Sequence, residues 1–268
     1  MLKFIRCAIV ALMLTPAAGA AQDFDAGLSA AQAGDYATAL QEFRPLAEQG
    51  HAAARYILGF MYDNGQGVPQ DYAEAVRWYR MAAEQGHAEA QGKLGVMYYS
   101  DRGVPQNYAE AVRWWRLAAE QGLAEAQYSL GLMYGLGQGV PKDDAEAVRW
   151  YRLAAEQGLV SAQLGLGNIY RKGQGVPQNY AEAVRWYRLG AMQGHAKAQK
   201  SLGLMHALGD GVPQDYATAY MWLNIATANG ADATKTRDTA ANLLAPAELS
   251  EAQRRARVCM ESGYQDCD

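Results

Sequence analysis

Cysteine and histidine are scarce in this chain of 268 residues, which contains three cysteines and four histidines. No cysteine occurs between residues 8 and 258, so neither disulfides nor cysteine-ligated zinc can organise the middle of the chain. The Gly-x-Ser-x-Gly, His-Glu-x-x-His and Ser-x-x-Lys motifs, which place a nucleophile or a zinc ion beside a base, are also missing. The sequence therefore predicts no catalytic residues, no metal site and no cofactor.

Basic residues are not in excess. Lysine and arginine number 24 and aspartate and glutamate 28, which gives a formal net charge of −4. A protein that binds nucleic acid neutralises phosphates with a basic face, so a mildly acidic chain argues against that class of partner. We expect no nucleic acid among its ligands.

Long apolar runs are limited to the first twenty residues. Lys3 and Arg6 precede the apolar run Cys7–Leu14, and the small residues Ala18-Gly19-Ala20 follow it. This layout is typical of a secretory signal peptide over residues 1–20. A membrane anchor is the alternative, but the run is shorter than the roughly 20 residues that span a bilayer. We expect a bacterial periplasmic or secreted protein without membrane insertion after signal removal.

Removal of residues 1–20 would leave two cysteines, Cys259 and Cys267, both near the C-terminus. In an oxidising compartment we expect them to form a disulfide that clamps this end, with a stabilisation of about 2–3 kcal/mol. The alternative is two free surface thiols, which would require a reducing compartment.

A 36-residue repeat fills residues 51–230 without an insertion. Val-Pro recurs at Val68, Val104, Val140, Val176 and Val212, each followed by proline. A fixed period of this length indicates a solenoid, in which each unit packs mainly on its neighbours. The predicted units are 51–86, 87–122, 123–158, 159–194 and 195–230.

One unit is predicted to contain two helices. Residues 51–62 are rich in Ala, Leu and Met and form helix A, and the glycines and proline of residues 63–70 form a loop. Asp71 is a suitable N-cap for helix B, residues 72–85, with Glu74 in capping-box position. Gly86 is expected to end helix B in the left-handed conformation.

The repeated phrases Ala-Glu-Ala-Val-Arg-Trp-Tyr-Arg-x-Ala-Ala-Glu-Gln-Gly (73–86) and Ala-Glu-Ala-Gln-x-x-Leu-Gly-x-Met-Tyr (88–98) resemble Sel1-like repeats. That family is a branch of the tetratricopeptide-like solenoids. The resemblance implies an all-α, right-handed solenoid of antiparallel helix pairs with an adaptor or scaffold role. Residues 21–50 are predicted to form a divergent N-terminal repeat or cap, and residues 231–268 a helical C-terminal cap.

The aromatic residues of helix B recur at one position, as Trp78, Trp114, Trp150, Trp186 and Trp222. Such a ladder could stack on bases or sugars. Its one-repeat period and the surrounding alanines favour a buried core instead.

Helix A has two distinct faces. When each residue turns the helix by about 100°, the positions that stay constant between units fall on one side and those that vary fall on the other. In related solenoids helix A lines the concave side, so the resemblance implies a ligand groove on the variable side; drift of an exposed face and packing between units are the alternatives. The predicted groove residues are Tyr56, Ile57, Phe60, Glu89, Lys93, Val96, Glu125, Tyr128, Leu132, Leu164, Asn168, Lys197, Lys200 and Leu204.

Two further patterns are expected to be structural. His51, His87 and His195 share one repeat position and stand too far apart to hold one metal ion, whereas His206 replaces a packing tyrosine. The arginines of helix B, such as Arg77 and Arg80, alternate with glutamates at helical spacing. They are predicted to form an ion-paired, solvated face.

The leading functional hypothesis is a non-catalytic adaptor that binds a protein or peptide of unknown identity on helix A. A peptidoglycan-binding protein is the first alternative, with Tyr56, Phe60 and Tyr128 as its aromatic platform. A β-lactam-binding or β-lactamase-like enzyme is the weaker one. Cysteine-rich Sel1-like proteins are associated with that chemistry and carry a disulfide within each repeat, whereas residues 51–230 of this chain contain no cysteine.

Overall fold

The computed structural model describes residues 23–267, and every regular element in that range is an α-helix. The predicted signal peptide lies outside the described residues. The fourteen helices within this range are α1 Phe24–Gln32, α2 Tyr36–Glu48, α3 Ala52–Asn64, α4 Tyr72–Ala83, α5 Ala88–Ser100, α6 Tyr108–Glu120, α7 Ala124–Leu136, α8 Asp144–Glu156, α9 Val160–Lys172, α10 Tyr180–Met192, α11 Ala196–Leu208, α12 Tyr216–Ala228, α13 Thr234–Ala241 and α14 Pro246–Glu261. Each helix packs mainly on its neighbours in the chain, and this confirms the all-α solenoid of helix pairs.

Helix B of the first unit begins at the predicted Tyr72 but ends at Ala83, two residues before the predicted end. Helix A begins one residue later than predicted, with His51 as its N-cap, and extends further. The odd-numbered helices α3 to α11 are the A helices, and the even-numbered α4 to α12 are the B helices. Helix α3 runs two residues beyond the expected Tyr62, because the left-handed Gly65 is the residue that stops it. Asp71 accepts from the backbone N–H groups of Ala73 and Glu74, which confirms it as the N-cap of α4.

The second glycine of each loop fixes one unit on the unit before it. Gly67 has a φ of 70°, and a Cβ added there would lie 2.7 Å from the carbonyl oxygen of Tyr36. A Cβ on Gly103 would lie 2.2 Å from the carbonyl oxygen of Tyr72, one unit further along. Each loop therefore closes directly over the first turn of the preceding B helix, which only glycine permits.

The aromatic ladder of helix B is buried, as the periodicity predicts. Trp78 packs in a cluster with Phe43 of the preceding helix pair and Leu58 of its own unit, whereas Tyr79 packs forward with Leu94 and Trp114 of the next unit. Adjacent aromatic residues on one helix therefore serve opposite interfaces. Together they make the core continuous along the array.

A row of buried glutamines also joins the units. Gln91 donates to the carbonyl oxygen of Ala83 at 3.0 Å, and its own side-chain oxygen accepts from Gln121 of the next unit boundary at 2.7 Å. The same two bonds recur around Gln127, Gln163 and Gln199, where Asn229 makes the last one. Each glutamine is buried and has its amide satisfied on both sides, so the ladder adds polar specificity to an apolar interface.

A second row pairs an arginine of helix B with a tyrosine of the next helix A. Four tyrosine hydroxyls accept from arginines eighteen residues earlier, at 2.5 to 3.2 Å. The pairs are Arg44 with Tyr62, Arg80 with Tyr98, Arg116 with Tyr134 and Arg152 with Tyr170. The row beginning at Arg80 therefore does not lie on a simple ion-paired face, and that part of the sequence interpretation is wrong.

His206 occupies the tyrosine position in the fifth unit. It is only 8% exposed, and neither of its ring nitrogens has a hydrogen-bond partner within residues 23–267. Burial lowers the pKa of His206, Arg188 and Arg255 lower it further, and Asp215 opposes them. This imidazole is therefore held in its neutral form by its surroundings.

The C-terminal residues cover the last unit. Helix α14 packs against α12, with Ala256 and Cys259 in the same cluster as Trp222. Cys259 is joined to Cys267 by a disulfide bond. Within the described range, no helix is both long and apolar enough to cross a bilayer.

Substitution of Gly95 by alanine should destabilise the chain, since the added Cβ would lie 2.5 Å from the Trp115 ring. We expect a loss of about 1–3 kcal/mol from overpacking. Gly135 in α7 is a matched control, because a Cβ there would meet no atom closer than 3.7 Å. Gly135→Ala should instead stabilise by about 0.5–1 kcal/mol through helix propensity. Urea unfolding followed by circular dichroism would measure both, and equal effects would contradict the packing described.

The His206→Tyr variant should be more stable than the native chain at mildly acidic pH. Because the folded-state pKa of His206 is lowered from 6.5, the stability contributed by neutral His206 is present above pH 6.5. It is lost as the pH falls from there through the folded-state pKa. Tyrosine would remove that titration and supply a hydroxyl like those of the other units. Thermal unfolding at pH 7.5 and pH 5.5 should show a smaller drop for the variant; an identical drop would contradict this account.

Candidate functional site

The variable positions of the A helices lie in or beside three cavities along one side of the array. We call this side the helix A face and define it by the predicted groove residues on α3, α5, α7, α9 and α11. Nine of the fourteen line a cavity: Tyr56, Glu89, Lys93, Val96 and Glu125 at the N-terminal end, Leu132 and Asn168 in the centre, and Lys197 and Lys200 at the C-terminal end. The other five are Ile57, Phe60, Tyr128, Leu164 and Leu204.

The N-terminal cavity has a volume of about 400 Å³ and lies between α3, α5 and α7. Its floor is the ring of Trp115, whose indole N–H donates to the carbonyl oxygen of Gly92 at 3.2 Å. Gly92 lacks a side chain at the position where the first unit has Tyr56, and this keeps the space open. Val96 stands at the rim and is 41% exposed.

Several aromatic residues of the helix A face are engaged in packing. Tyr56 stacks on His87 with ring centroids 4.9 Å apart, and burial raises its pKa, with Glu89 and Asp63 adding to the effect. Tyr128 meets Tyr151 edge to face at 5.4 Å. The ring of Phe60 is covered by the ammonium group of Lys93 at 5.7 Å. These rings therefore shape the walls of the face more than they project from it.

Two aliphatic members of the predicted set pack inward. Ile57 is half-buried against the cluster that contains Phe43 and Trp78, and Leu164 is half-buried against the cluster around Tyr187. Leu204 is half-buried but lines none of the three cavities. For Ile57 and Leu164, packing between units accounts for the apolar side chain.

The central cavity, of about 290 Å³, lies between α7, the start of α8 and α9. Leu132, Ala147 and Ile169 give it apolar walls, and Lys142 and Asp144 stand at its edge, 3.2 Å apart as an ion pair. Asn168 also lines it while accepting a hydrogen bond from Tyr187 at 2.8 Å. The space is therefore mostly apolar with one charged edge.

The C-terminal cavity is basic. Its volume is about 580 Å³, and Lys197 and Lys200 line it together with Asp232. The ammonium group of Lys200 donates to the carbonyl oxygen of Asp232, so this lysine is partly committed to the cap. Glu89 and Glu125 outnumber Lys93 in the N-terminal cavity, and Lys197 and Lys200 outnumber Asp232 in the C-terminal one. The helix A face therefore has a small acidic excess towards its N-terminal end and a small basic excess towards its C-terminal end.

The opposite surface, on the B helices, is neutralised within the chain. Arg113 pairs with Glu110 at 3.0 Å, and its guanidinium covers the Trp114 ring at 4.0 Å. Equivalent ion pairs occur at Arg77, Arg149 and Arg185. This confirms the ion-paired face predicted for the Arg77 row, and it leaves few free charges there for a ligand.

The repeated histidines cap helices. The Nδ1 atoms of His51, His87 and His195 accept from backbone N–H groups three residues on, at 3.3 to 3.4 Å. Burial lowers the pKa of His195, and Lys197 lowers it further, which favours the neutral ring that this cap requires. Among residues 23–267, no three histidine, cysteine or acidic side chains are grouped so that they could hold a metal ion.

Sequence reasoning did not identify the capping role of these histidines, the glutamine ladder or the central cavity. The histidine position precedes an A helix in every unit, and this spacing was a usable signal for an N-cap. The cavity could have been suspected from Gly135 and Asp144, which replace larger residues of the neighbouring unit. The buried glutamines gave no such signal, because their partners come from a different unit.

The family described as Sel1 repeat matches residues 52–87, 88–123, 124–159, 160–195 and 196–230. The chain belongs to the Sel1-repeat family. Each match begins one residue after the corresponding predicted unit, and the last match ends at the same residue, 230. Sel1-repeat proteins are generally protein-interaction scaffolds without catalytic activity.

Two solved structures are similar to this Sel1-repeat protein over most of its length. A Sel1 repeat protein from Oxalobacter formigenes is 36% identical with a TM-score of 0.74, covering 78% of this chain and 86% of that one. The protein c5321 of uropathogenic Escherichia coli, described as a protective antigen with an SLR fold, is 38% identical with a TM-score of 0.80. That match covers 91% of this chain and 54% of the longer one. A comparison with curated proteins gives no match.

Proposed function

We propose that this Sel1-repeat protein is a non-catalytic adaptor that binds a protein or peptide segment along the helix A face. The observation that carries the proposal is the division of helix A. One side is the same in every unit, with Ala, Leu, Gly and Met packed against helix B, except that Ile169 replaces the methionine in the fourth unit. The other side differs from unit to unit and is lined by three cavities.

The proposed face suits an extended partner. Its helices are held rigidly by their neighbours, so binding would cost little ordering of the adaptor itself. The acidic and basic ends would orient a segment of complementary charge, with Glu89 and Glu125 at one end and Lys197 at the other. The apolar walls between them would supply most of the buried area.

We infer that the adaptor acts in the periplasm or outside the cell. The signal-peptide layout of residues 1–20 supports export. The disulfide between Cys259 and Cys267 supports an oxidising compartment. In this proposal residues 21–50 and 231–268 act as caps on the repeats of residues 51–230, since an open solenoid end exposes an apolar face.

The glycan and enzyme alternatives receive less support. Tyr56, Phe60 and Tyr128 are each packed against His87, Lys93 or Tyr151, so they do not form the flat exposed platform that sugar stacking requires. The enzyme alternative requires a nucleophile with a base, and the sequence contains none of the motifs that would supply one.

Substitution Val96→Arg should weaken peptide binding by about tenfold or more, because it places a charged side chain at the rim of the N-terminal cavity. Leu153→Arg is the matched control, since Leu153 is 37% exposed against 41% for Val96 but lies on helix B. Peptides would be selected from a display library on the chain of residues 21–268. Their dissociation constants would then be measured by fluorescence anisotropy.

The control should change these dissociation constants less than about twofold. Equal weakening by both variants, or weakening by Leu153→Arg alone, would contradict the assignment of the helix A face. Selection of no peptide, together with retention of the chain on purified peptidoglycan, would favour the glycan alternative.

A further inference from the structure

The third unit departs from the others at the central cavity. Four of the five units begin helix B with a tyrosine, namely Tyr72, Tyr108, Tyr180 and Tyr216, whereas the third has Asp144. Nine residues earlier the third unit has Gly135, where the second has Tyr99. Two positions that carry aromatic rings in the second unit therefore carry none in the third.

The second unit shows what normally fills this space. The ring of Tyr99 lies between Tyr108 and Trp115, with centroid distances of 5.5 Å and 5.6 Å. These are ordinary separations for packed aromatic pairs. The equivalent positions in the third unit, Gly135, Asp144 and Tyr151, all line the central cavity. The cavity therefore occupies the site that the Tyr99 ring fills one unit earlier.

Other units with an aromatic residue at this helix B position give it a partner. In the first unit, the hydroxyl of Tyr79 donates to Asp63 at 3.3 Å. In the fourth, the hydroxyl of Tyr187 donates to Asn168 at 2.8 Å, and the nearby Arg171 lowers the pKa that burial raises. The fifth unit has only Ala207 here, but the aromatic residue it would cover is replaced by Leu223. Only the third unit keeps the aromatic ring and lacks the covering side chain.

Tyr151 is consequently left with an unused polar group. It is 9% exposed, its hydroxyl makes no hydrogen bond to another residue within the described range, and that hydroxyl is not fully shielded from solvent. Burial raises its pKa, and Tyr128 adds to the effect, so the hydroxyl stays protonated and able to donate. A phenol hydroxyl that lacks a protein partner at the wall of a cavity can form a hydrogen bond with a ligand.

The edge of the cavity is also altered. In the other four units a glutamine, such as Gln106, donates to the carbonyl oxygen seven residues earlier at 2.8 to 2.9 Å. In the third unit Lys142 replaces it and pairs with Asp144 instead. The substitutions at 135, 142 and 144 thus act together: they open a space and place opposite charges at its entrance.

We propose that the central cavity receives the side chain of a tyrosine from the bound peptide, in the place that Tyr99 fills in the second unit. This inference rests on the proposed function and specifies one anchor of the partner. An apolar cavity of about 150 Å³ accommodates benzene, so about 290 Å³ is sufficient for a phenol ring. The ring packs beside Tyr151, and its hydroxyl finds polar groups in Tyr151, Asp144 and Lys142.

The small phenol p-cresol, which is the tyrosine side chain without its backbone, tests the cavity without knowledge of the partner. Titration into the chain of residues 21–268 should give saturable ¹H–¹⁵N shifts confined to residues around Gly135, Tyr151 and Gly165. Gly135→Tyr restores the covering side chain, so it should reduce this affinity more than about tenfold. Ala207→Tyr is the matched control at the equivalent position of the fifth unit, and it should leave the titration unchanged.

Asp144→Tyr is a second filling variant, should Gly135→Tyr fail to show native circular dichroism. The proposal would be overturned if the shifts do not saturate or if the filling variants bind p-cresol as tightly as the native chain does. It would also be overturned if cyclohexylmethanol, which lacks the aromatic ring, binds as tightly as p-cresol. If Val96→Arg weakens the binding of the selected peptides but Gly135→Tyr does not, the tyrosine anchor is contradicted and the helix A face remains supported. If p-cresol binds in the cavity but Val96→Arg does not change the dissociation constants of the selected peptides, the cavity proposal stands and the proposed function is contradicted.

Discussion

The register between neighbouring units is the constraint on which the rest of this solenoid depends. It is set by three contacts that recur every 36 residues: a loop glycine closed over the preceding B helix, a buried tryptophan, and a glutamine bonded to both sides of the interface. The apolar contact supplies most of the driving force but is not directional. The glutamine bonds contribute only about 1 kcal/mol each, yet a slipped register would leave them buried without partners, at a cost of about 1–3 kcal/mol each. The need to satisfy the hydrogen bonds of the buried glutamines thus selects one register between units among those that apolar burial alone would allow.

This constraint also explains which surface is free to acquire a function. Helix B is used on nearly all sides, because its aromatic residues face two interfaces and its arginines pair with glutamate or tyrosine. One side of helix A is occupied by the same packing. Substitutions are therefore tolerated chiefly on the helix A face, where Tyr56, Gly92, Tyr128, Leu164 and Lys200 occupy one position in successive units. A repeat that is uniform in its core can in this way present a sequence-specific surface, with cavities at Gly92 and Gly135, where a larger residue of the preceding unit is replaced by glycine.

The sequence predicted the parts of the fold that depend on local pattern. The burial of Trp78 and its equivalents, the cap at Asp71 and the pairing of Arg77 with Glu74 all follow from spacing within one unit. It failed where the outcome depends on another unit. Spacing within one unit predicts a solvated face for Arg80, because its partner Tyr98 is eighteen residues away. The burial of the glutamines likewise depends on partners thirty residues away. The central cavity arises only because Gly135, Asp144 and Tyr151 meet in space. A comparison of units one by one indicates the altered positions, but not that they enclose a common volume.

A crystal structure of the chain bound to a display-selected peptide would test the central claim most directly. We expect the peptide to lie along α5, α7 and α9 on the helix A face, with contacts dominated by residues that vary between units. A peptide seated on the arginine rows of helix B, or on the Gly-Val-Pro loops, would contradict this claim, because those surfaces are the ones that internal packing and ion pairing already occupy.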